Sequence, residues 1–192
     1  MNEHHILFHD GDLYAFLAER RQRAVSEVDR LTTQQLLGTE KNQLVSEVVS
    51  RFSLTTPTLG VPAKQHEGET QVAVHDSFSG QIRQPGYSVT MAVPFTGSGD
   101  LFRFQPSRFS LNYPLGRVQG ARLLLTYSWP EHNPPSDLKA QIAADIQKIK
   151  EWLGFAGADA EAHNKDLPPV IAAALDRRLA TLKQGRDITS DL

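Results

Sequence analysis

The fold is decided by the stretch YSVTMAVPF, which covers Tyr87–Phe95. Every second residue of this stretch is apolar or aromatic, a period that places alternate side chains on one face of a β-strand. The run Ala121–Trp129, which is equally long, repeats the pattern. The two runs predict antiparallel strands with one buried face, the other face being exposed to water or covered by a helix. The residues predicted to share the buried face are Val89, Met91, Val93, Leu123, Leu125 and Tyr127.

The surrounding region, residues 55–130, is predicted to be rich in strands. Glycine and proline recur throughout it and bound further short runs at Thr70–His75 and Leu101–Phe104, which we also predict to be strands. Helix-like segments do not separate these runs. The pattern therefore argues against a parallel, doubly wound sheet, which needs crossover helices.

A helical region, residues 11–53, precedes the strands. It contains one helix over residues 11–31 with Asp12 as the N-cap, because the Asp12 carboxylate can accept from free amides of the first turn. A capping box is predicted at Thr32, and a second helix over residues 39–52.

A second helical region, residues 136–187, follows the strands. Ser136 is the predicted N-cap, and an apolar stripe over residues 138–153 marks the first helix. Asn164–Leu167 is expected to break this helix. Pro168 and Pro169 are then expected to open a new helix, because proline is tolerated in a first turn.

These patterns predict the α+β class, with N-terminal helices, a central, mostly antiparallel β-sheet and C-terminal helices in a single domain over residues 1–192. The tail Asp187–Leu192 contains nothing like a closing core element. We therefore expect that the chain is a fragment that continues into another domain.

The composition is that of an ordinary globular protein: 192 residues, 40% hydrophobic, with a net charge of −2. This charge does not favour nucleic acid or an anionic membrane as a partner. Cysteine is absent, which excludes disulfides, thiolate metal sites and cysteine nucleophiles. Met1–His5 does not begin a signal peptide, and no stretch approaches the roughly 18 apolar residues that span a bilayer. We therefore expect a cytoplasmic protein.

The N-terminal histidines have the right chemistry for metal ligands. His4, His5 and His9 lie near Asp10 and Asp12, and imidazoles and carboxylates bind zinc. The cluster precedes every predicted rigid element, however, so we interpret it as a frayed terminus with a helix cap. No metal site is predicted.

Two other groups contain residue types that are common in catalytic sites. His75 and Asp76, near Ser77 and Ser79, suggest a hydrolase, but neighbours on a strand point to opposite faces. The glycine-rich loop Thr96–Asp100 lacks the lysine of a phosphate-binding loop and is predicted to be a hairpin connection. We assign no catalytic residue and no cofactor.

Four arginines are candidate ligand-binding residues because they lie among aromatic side chains, an arrangement that can bind nucleotides or single strands. They are Arg103, Arg108, Arg117 and Arg122. Residues 55–130 carry six Lys and Arg against four Asp and Glu, which is too small an excess to indicate nucleic acid.

Several short segments together resemble a known group of proteins. The segments are Val93–Gly97, Leu101–Phe102, Gln105–Ser107, Leu123–Tyr127, Asn164–Pro168 and Arg177–Leu182. In this order they resemble the non-catalytic N-terminal region of certain bacterial multidomain proteins, which carry a TIR-type or restriction-endonuclease-like effector further along. The resemblance covers about residues 90–190. It implies a role in defence against phage or foreign DNA and transfers no catalytic residue.

The last helix carries a narrow apolar seam with spacings of four, four and three, formed by Ile171, Leu175, Leu179 and Leu182. Such a seam is typical of helix pairing. It is predicted either to pack on residues 138–153 of the same chain or to bind another chain, which would make a homodimer. The function we predict is a non-catalytic sensor, regulatory or oligomerisation module that controls an attached or partner effector. The alternative is an enzyme of unrecognised type, such as a hydrolase of nucleotides or nucleic acid.

Overall fold

A computed structural model describes the backbone of residues 5–76 and 80–190, and the side chains of residues 5–74 and 80–184. Helices come first, a β-sheet follows, and a long helix ends the described chain, so the α+β prediction is confirmed. The elements are α1 (Leu13–Arg30), α2 (Thr33–Gly38), α3 (Lys41–Phe52), β1 (Thr58–Leu59), β2 (Ala63–Asp76), β3 (Gly80–Thr96), a 3₁₀ helix (Gly99–Phe102), β4 (Arg117–Gln119), β5 (Arg122–Pro130) and α4 (Leu138–Ser190).

The sheet is antiparallel at every described pairing. Its path is β1-β3-β5-β4, and β2 pairs with β3 as well. In the central pair, Val89 lies opposite Tyr127 and Met91 lies opposite Leu125. The prediction that these side chains share one buried face is confirmed, because the residues belong to one hydrophobic cluster.

The predicted caps are confirmed for the first two helices. The Asp12 carboxylate accepts from the Ala15 N–H at 3.0 Å, and Thr32 forms a capping box with Gln35. The prediction for α4 is one residue off. Asp137 rather than Ser136 caps this helix, because its carboxylate accepts from the Ala140 N–H at 2.9 Å.

The predicted break at Asn164–Leu167 and the predicted new helix from Pro168 are wrong, because α4 is one helix of 53 residues with Pro168 and Pro169 inside it. An interior proline removes a helical hydrogen bond and costs about 3 kcal/mol. Packing compensates here, since Leu167 and Ile171 on either side of the prolines are fully buried.

Three hydrophobic clusters lie along α4, so this helix of about 80 Å connects the sheet to the N-terminal helices. Trp152 belongs to the cluster on the sheet, and Ala156 packs with Leu13 of α1. Ile171 and Leu175 pack with α1 and α3 in the third cluster, which we call the helical cluster.

The apolar seam of the last helix therefore belongs to the helical cluster. Ile171 and Leu175 are fully buried there, and Leu179 and Leu182 are partly buried against it. The expectation that the seam packs on residues 138–153 is wrong, since both segments lie on one continuous helix. The partners are α1 and α3, which leaves Ile171 and Leu175 inaccessible to another chain.

The prediction of a frayed N-terminus is wrong from His5 onward. Leu7 is 5% exposed, and the Phe8 ring is fully buried 5.1 Å from the Trp152 ring. The Leu7 N–H donates to the Pro114 carbonyl at 3.0 Å, and the Phe8 N–H donates to the Phe102 carbonyl at 2.7 Å. Phe8 has a φ of 58°, a left-handed conformation that costs about 1–2 kcal/mol and that the burial of its ring offsets.

The strand predicted at Leu101–Phe104 is also wrong, since residues 99–102 form a 3₁₀ helix. The glycine-rich loop before it leads from β3 into this helix rather than into a paired strand. Gly97 has a φ of 95°, and the loop is held by the Ser98 N–H, which donates to the Thr55 carbonyl at 2.8 Å.

Candidate ligand-binding cleft

Strand β5 has one side paired along its whole length and the other side paired over a short stretch. The odd-numbered residues of β5 direct their main-chain N–H and C=O groups towards β3. Two flanking hydrogen bonds indicate this, from the Phe95 N–H to the Ala121 carbonyl and from the Glu131 N–H to the Pro85 carbonyl. In an antiparallel strand the next residue directs its N–H and C=O to the opposite side. Thr126 and Ser128 therefore direct their main-chain groups away from β3.

The side of β5 away from β3 is covered by β4 at Arg122–Leu124. Among the described strands, none pairs with residues 125–130 on that side. We call this stretch the open edge. An unpaired edge exposes a row of main-chain donors and acceptors, which can pair with another chain.

The open edge exists because the chain before β4 turns onto the core. Gly116 N–H donates to the His5 carbonyl at 2.9 Å, so residues 114–116 pair with residues 5–7 instead of with β5. A Cβ at Gly116 would lie 3.1 Å from side-chain atoms of Leu123 and of Leu125. Glycine thus permits the close approach that separates this segment from the edge.

A cleft of about 1050 Å³ surrounds the open edge. We call it the edge cleft. Two chain segments form its ends, residues 112–117 and residues 133–136. Its inner wall lies on the core face of the sheet and contains Leu125, Tyr127, Trp129, Leu138, Asp145 and Lys148; its outer wall lies on the opposite face and contains His66, Thr90, Arg117, Leu124, Thr126 and Ser128.

On the inner wall, the Tyr127 hydroxyl donates to Asp145 Oδ2 at 3.1 Å. Burial, and then the negative charge of Asp145, raises the pKa of Tyr127 far above its usual value of 10.0. The phenol is therefore neutral at physiological pH and acts as a donor that orients the carboxylate. It is unsuited to act as a general base, which must be deprotonated.

Two further hydrogen bonds brace the edge cleft. Lys148 Nζ donates to Asn112 Oδ1 at 2.9 Å and so ties α4 to the loop before β4. On the outer wall the hydroxyls of Thr90 and Thr126 lie 3.0 Å apart across β3 and β5. The first contact joins a helix to the loop at one end of the cleft and the second joins two strands, so both help to give the cleft a defined shape.

The charges of the described lining favour a neutral or acidic ligand. Arg117 and Lys148 carry positive charge, Asp145 carries negative charge, and His5 and His66 add two imidazole rings. The outer wall contains one arginine and one histidine, and it contains no described carboxylate. An acidic side chain of a ligand would therefore meet attraction on that wall.

Exposed apolar side chains continue the surface beside the edge cleft. Leu115 lines the cleft and pairs with Ile6, and both side chains are about half exposed. Phe109 lies 6.5 Å from the Tyr113 ring, and Leu111 is 89% exposed. We call Ile6, Phe109, Leu111 and Leu115 the apolar rim. Exposed apolar residues beside a cleft offer further apolar surface that a binding partner can bury.

The four candidate arginines do not converge on one site. Arg117 lines the edge cleft, and the strand pairings place Arg122 on the same face of the sheet. Arg103 is bound to Asp10 at 2.9 Å and lies over the Phe104 ring, and Arg108 is exposed in a loop outside the described lining.

The described structure covers only part of the candidate metal and acid–imidazole groups. Among the described side chains, those of residues 5–74 and 80–184, no group of three or more His, Cys, Asp or Glu residues could hold a metal ion. His66 lines the edge cleft, whereas its neighbour Glu67 pairs with Lys64 at 2.7 Å. His4, and the side chains of the group His75–Ser79, lie outside the described residues.

A buried histidine that the sequence reasoning missed lies at the junction of α3 and α4. His163 is 2% exposed, and its Nε2 lies 3.4 Å from the Phe52 carbonyl. The same carbonyl accepts from Arg20 Nε at 2.8 Å. Burial lowers the pKa of His163 below its usual 6.5. His163 and Arg20 both contact the Phe52 carbonyl at the C-terminus of α3, so we assign them a structural role.

Comparison with family models, curated proteins and solved structures gave no match to this chain. Among the described helices, none is both long enough and apolar enough to cross a membrane.

Proposed function

We propose that the chain is a non-catalytic regulatory module that binds a protein ligand in the edge cleft and thereby controls an attached or partner effector. The observation that carries the proposal is the open edge, recessed in a cleft of about 1050 Å³ beside the apolar rim. Proteins usually cover or charge such an edge to prevent unwanted pairing. An edge left open within a shaped cleft is suited to a specific partner.

The polar groups of the edge cleft support binding rather than catalysis. The Thr90 and Thr126 hydroxyls contact each other, so neither is paired with a base that would activate it. Asp145 accepts a hydrogen bond from the protonated hydroxyl of Tyr127. In the described lining the remaining groups are hydrogen-bond donors and acceptors that can orient a ligand.

Helix α4 supports the regulatory part of the proposal. Asp145 and Lys148 in the edge cleft lie on the helix that also carries Ile171 and Leu175 of the helical cluster. A ligand that shifts the N-terminal part of α4 would act on the packing of α1 and α3 through this rigid element.

The biological setting in the proposal rests on the resemblance to bacterial multidomain proteins. In this setting the chain is part of a cytoplasmic bacterial protein and acts in defence. Its partner is a TIR-type or restriction-endonuclease-like effector. The burial of Ile171 and Leu175 within their own chain favours an effector over a second copy as the partner of this module.

The experiment is a selection of random short peptides on phage against the immobilised full chain. Selected peptides are then measured against Arg117→Glu/Lys148→Glu, which reverses two cleft charges. The matched control is Arg122→Glu/Lys150→Glu, an equal charge change at exposed positions outside the described cleft lining. We expect about a tenfold loss of affinity in the cleft variant and a change within about twofold in the control. Equal losses, failure to select any peptide, or hydrolysis of nucleotides or single-stranded DNA by the wild type would contradict the proposal.

A further inference from the structure

We infer that the protein ligand binds through an extended peptide segment, which adds to the sheet as a new strand along the open edge of β5. This inference rests on the proposed function and specifies its chemistry. The ligand is recognised through its main chain by Thr126 and Ser128, and through alternating apolar and acidic side chains by the two walls of the edge cleft.

The main-chain part follows from the limits of the open edge. Leu124 is already opposite Arg117, so pairing with a ligand begins after it. At the other end, Pro130 has no N–H, and its carbonyl accepts from Asn133 N–H at 2.9 Å. Thr126 and Ser128 between these limits each offer one N–H and one C=O. The edge is thus matched to an antiparallel segment of about five residues at about 3.3 Å per residue.

The side-chain part follows from the alternation of a strand. Ligand residues opposite Thr126 and Ser128 form the hydrogen-bonded pairs, and their side chains lie on the outer wall with Arg117 and His66. Acidic side chains suit these positions. The intervening ligand residues place their side chains on the inner wall beside Trp129 and Leu138, which suit apolar groups such as valine.

A second copy of this chain fits the open edge poorly. Pairing two β5 edges would bring two sets of end segments, residues 112–117 and 133–136 of each copy, into one cleft. A single extended segment brings one main chain and no further end segments into the cleft. The recessed position of the edge thus disfavours edge-to-edge pairing of copies while it admits a narrow peptide.

The test uses a fluorescent, end-blocked peptide of alternating glutamate and valine, titrated with the full chain and followed by anisotropy. N-methyl groups are introduced into its main chain one residue at a time. Methylation at glutamates, whose N–H groups face β5, is expected to weaken binding about tenfold. Methylation at valines is expected to change binding within about twofold.

A protein variant tests the same hydrogen bonds from the other side. Ser128→Pro removes an outward N–H, a replacement that edge strands tolerate, and Ser128→Thr keeps that N–H as the matched control. We expect about a tenfold loss with proline and a change within about twofold with threonine. The methylation series decides the question if Ser128→Pro unfolds, which circular dichroism would show.

The outcomes separate the inference from the proposed function. If peptides selected on phage respond to Arg117→Glu/Lys148→Glu but show no alternating effect of methylation, strand addition is wrong and the binding module stands. Failure of the glutamate–valine peptide to bind while selected peptides bind also refutes strand addition. A wild-type dimer that Ser128→Pro dissociates in analytical ultracentrifugation would make the edge a contact between copies, which overturns the inference.

Discussion

Asn164 connects α4 to the segment after α3, and Asn164→Ala is predicted to lower the free energy of unfolding by about 2–4 kcal/mol. The Asn164 side-chain carbonyl accepts from the Leu54 N–H at 2.9 Å, and its amide donates to the Leu54 carbonyl at 2.7 Å. Leu54 is 4% exposed. Alanine would leave a buried donor and a buried acceptor without partners, each at a cost of about 1–3 kcal/mol, and partial hydration reduces the sum.

Two further variants isolate this effect. Asn164→Asp keeps an acceptor for the Leu54 N–H but loses the donor to the Leu54 carbonyl, so we expect about half the loss or more. Gln147→Ala removes an exposed amide from the same helix, where the partner is Glu151. It should change stability by less than about 0.5 kcal/mol.

Urea unfolding, followed by both far-ultraviolet circular dichroism and tryptophan fluorescence, measures these differences. Coincident transitions would justify a two-state free energy. A loss below about 1 kcal/mol for Asn164→Ala, or a loss equal to that of Gln147→Ala, would refute the reasoning that the Leu54 contacts hold α4 across its two prolines.

Three other predictions follow from the buried residues. Phe8→Ala should lower the free energy of unfolding in urea by about 3–5 kcal/mol, because the ring is fully buried against Trp152. An unchanged unfolding midpoint would instead support a frayed N-terminus. Leu175→Ala should cost about 2–5 kcal/mol without changing the molecular mass by light scattering; a stable variant whose mass falls would instead indicate association through the seam. Burial lowers the pKa of His163 in the folded protein below 6.5. The neutral ring therefore contributes its full stabilisation above pH 6.5, and this stabilisation is lost as the pH falls through the lowered pKa of the folded state. Melting temperatures of wild type and His163→Gln between neutral and acidic pH should show a smaller loss in the variant, and parallel curves would contradict this.

The edge cleft was beyond the reach of sequence reasoning, although its residues belong to predicted elements. Tyr127 and Asp145 lie on a strand and a helix that the periodicity identifies, yet their contact depends on how α4 crosses the sheet. The open edge exists because β4 is short. Its pairing with β5 does not extend before Arg117, since the preceding segment forms hydrogen bonds with His5 and Leu7 instead. Such pairings join residues distant in sequence, and periodicity carries no information about them.

The sequence by itself determined the elements whose cause is local. The alternation in Tyr87–Phe95 placed Val89 and Val93 on the buried face, and Asp12 and Thr32 marked two helix starts. Side-chain direction in a strand and the capping of free amides depend on a few neighbouring residues, so the pattern was sufficient.

Only the tertiary structure decided the features in which long-range contacts compete with a local preference. Pro168 has a local preference to end a helix, but the burial of Leu167 and Ile171 and the Asn164 contacts with Leu54 outweigh it. Phe8 adopts a left-handed backbone for the same reason, since its ring fills the core beside Trp152. A local preference of a few kcal/mol yields to hydrophobic burial of similar or larger size, and that burial is defined only when the distant elements pack together.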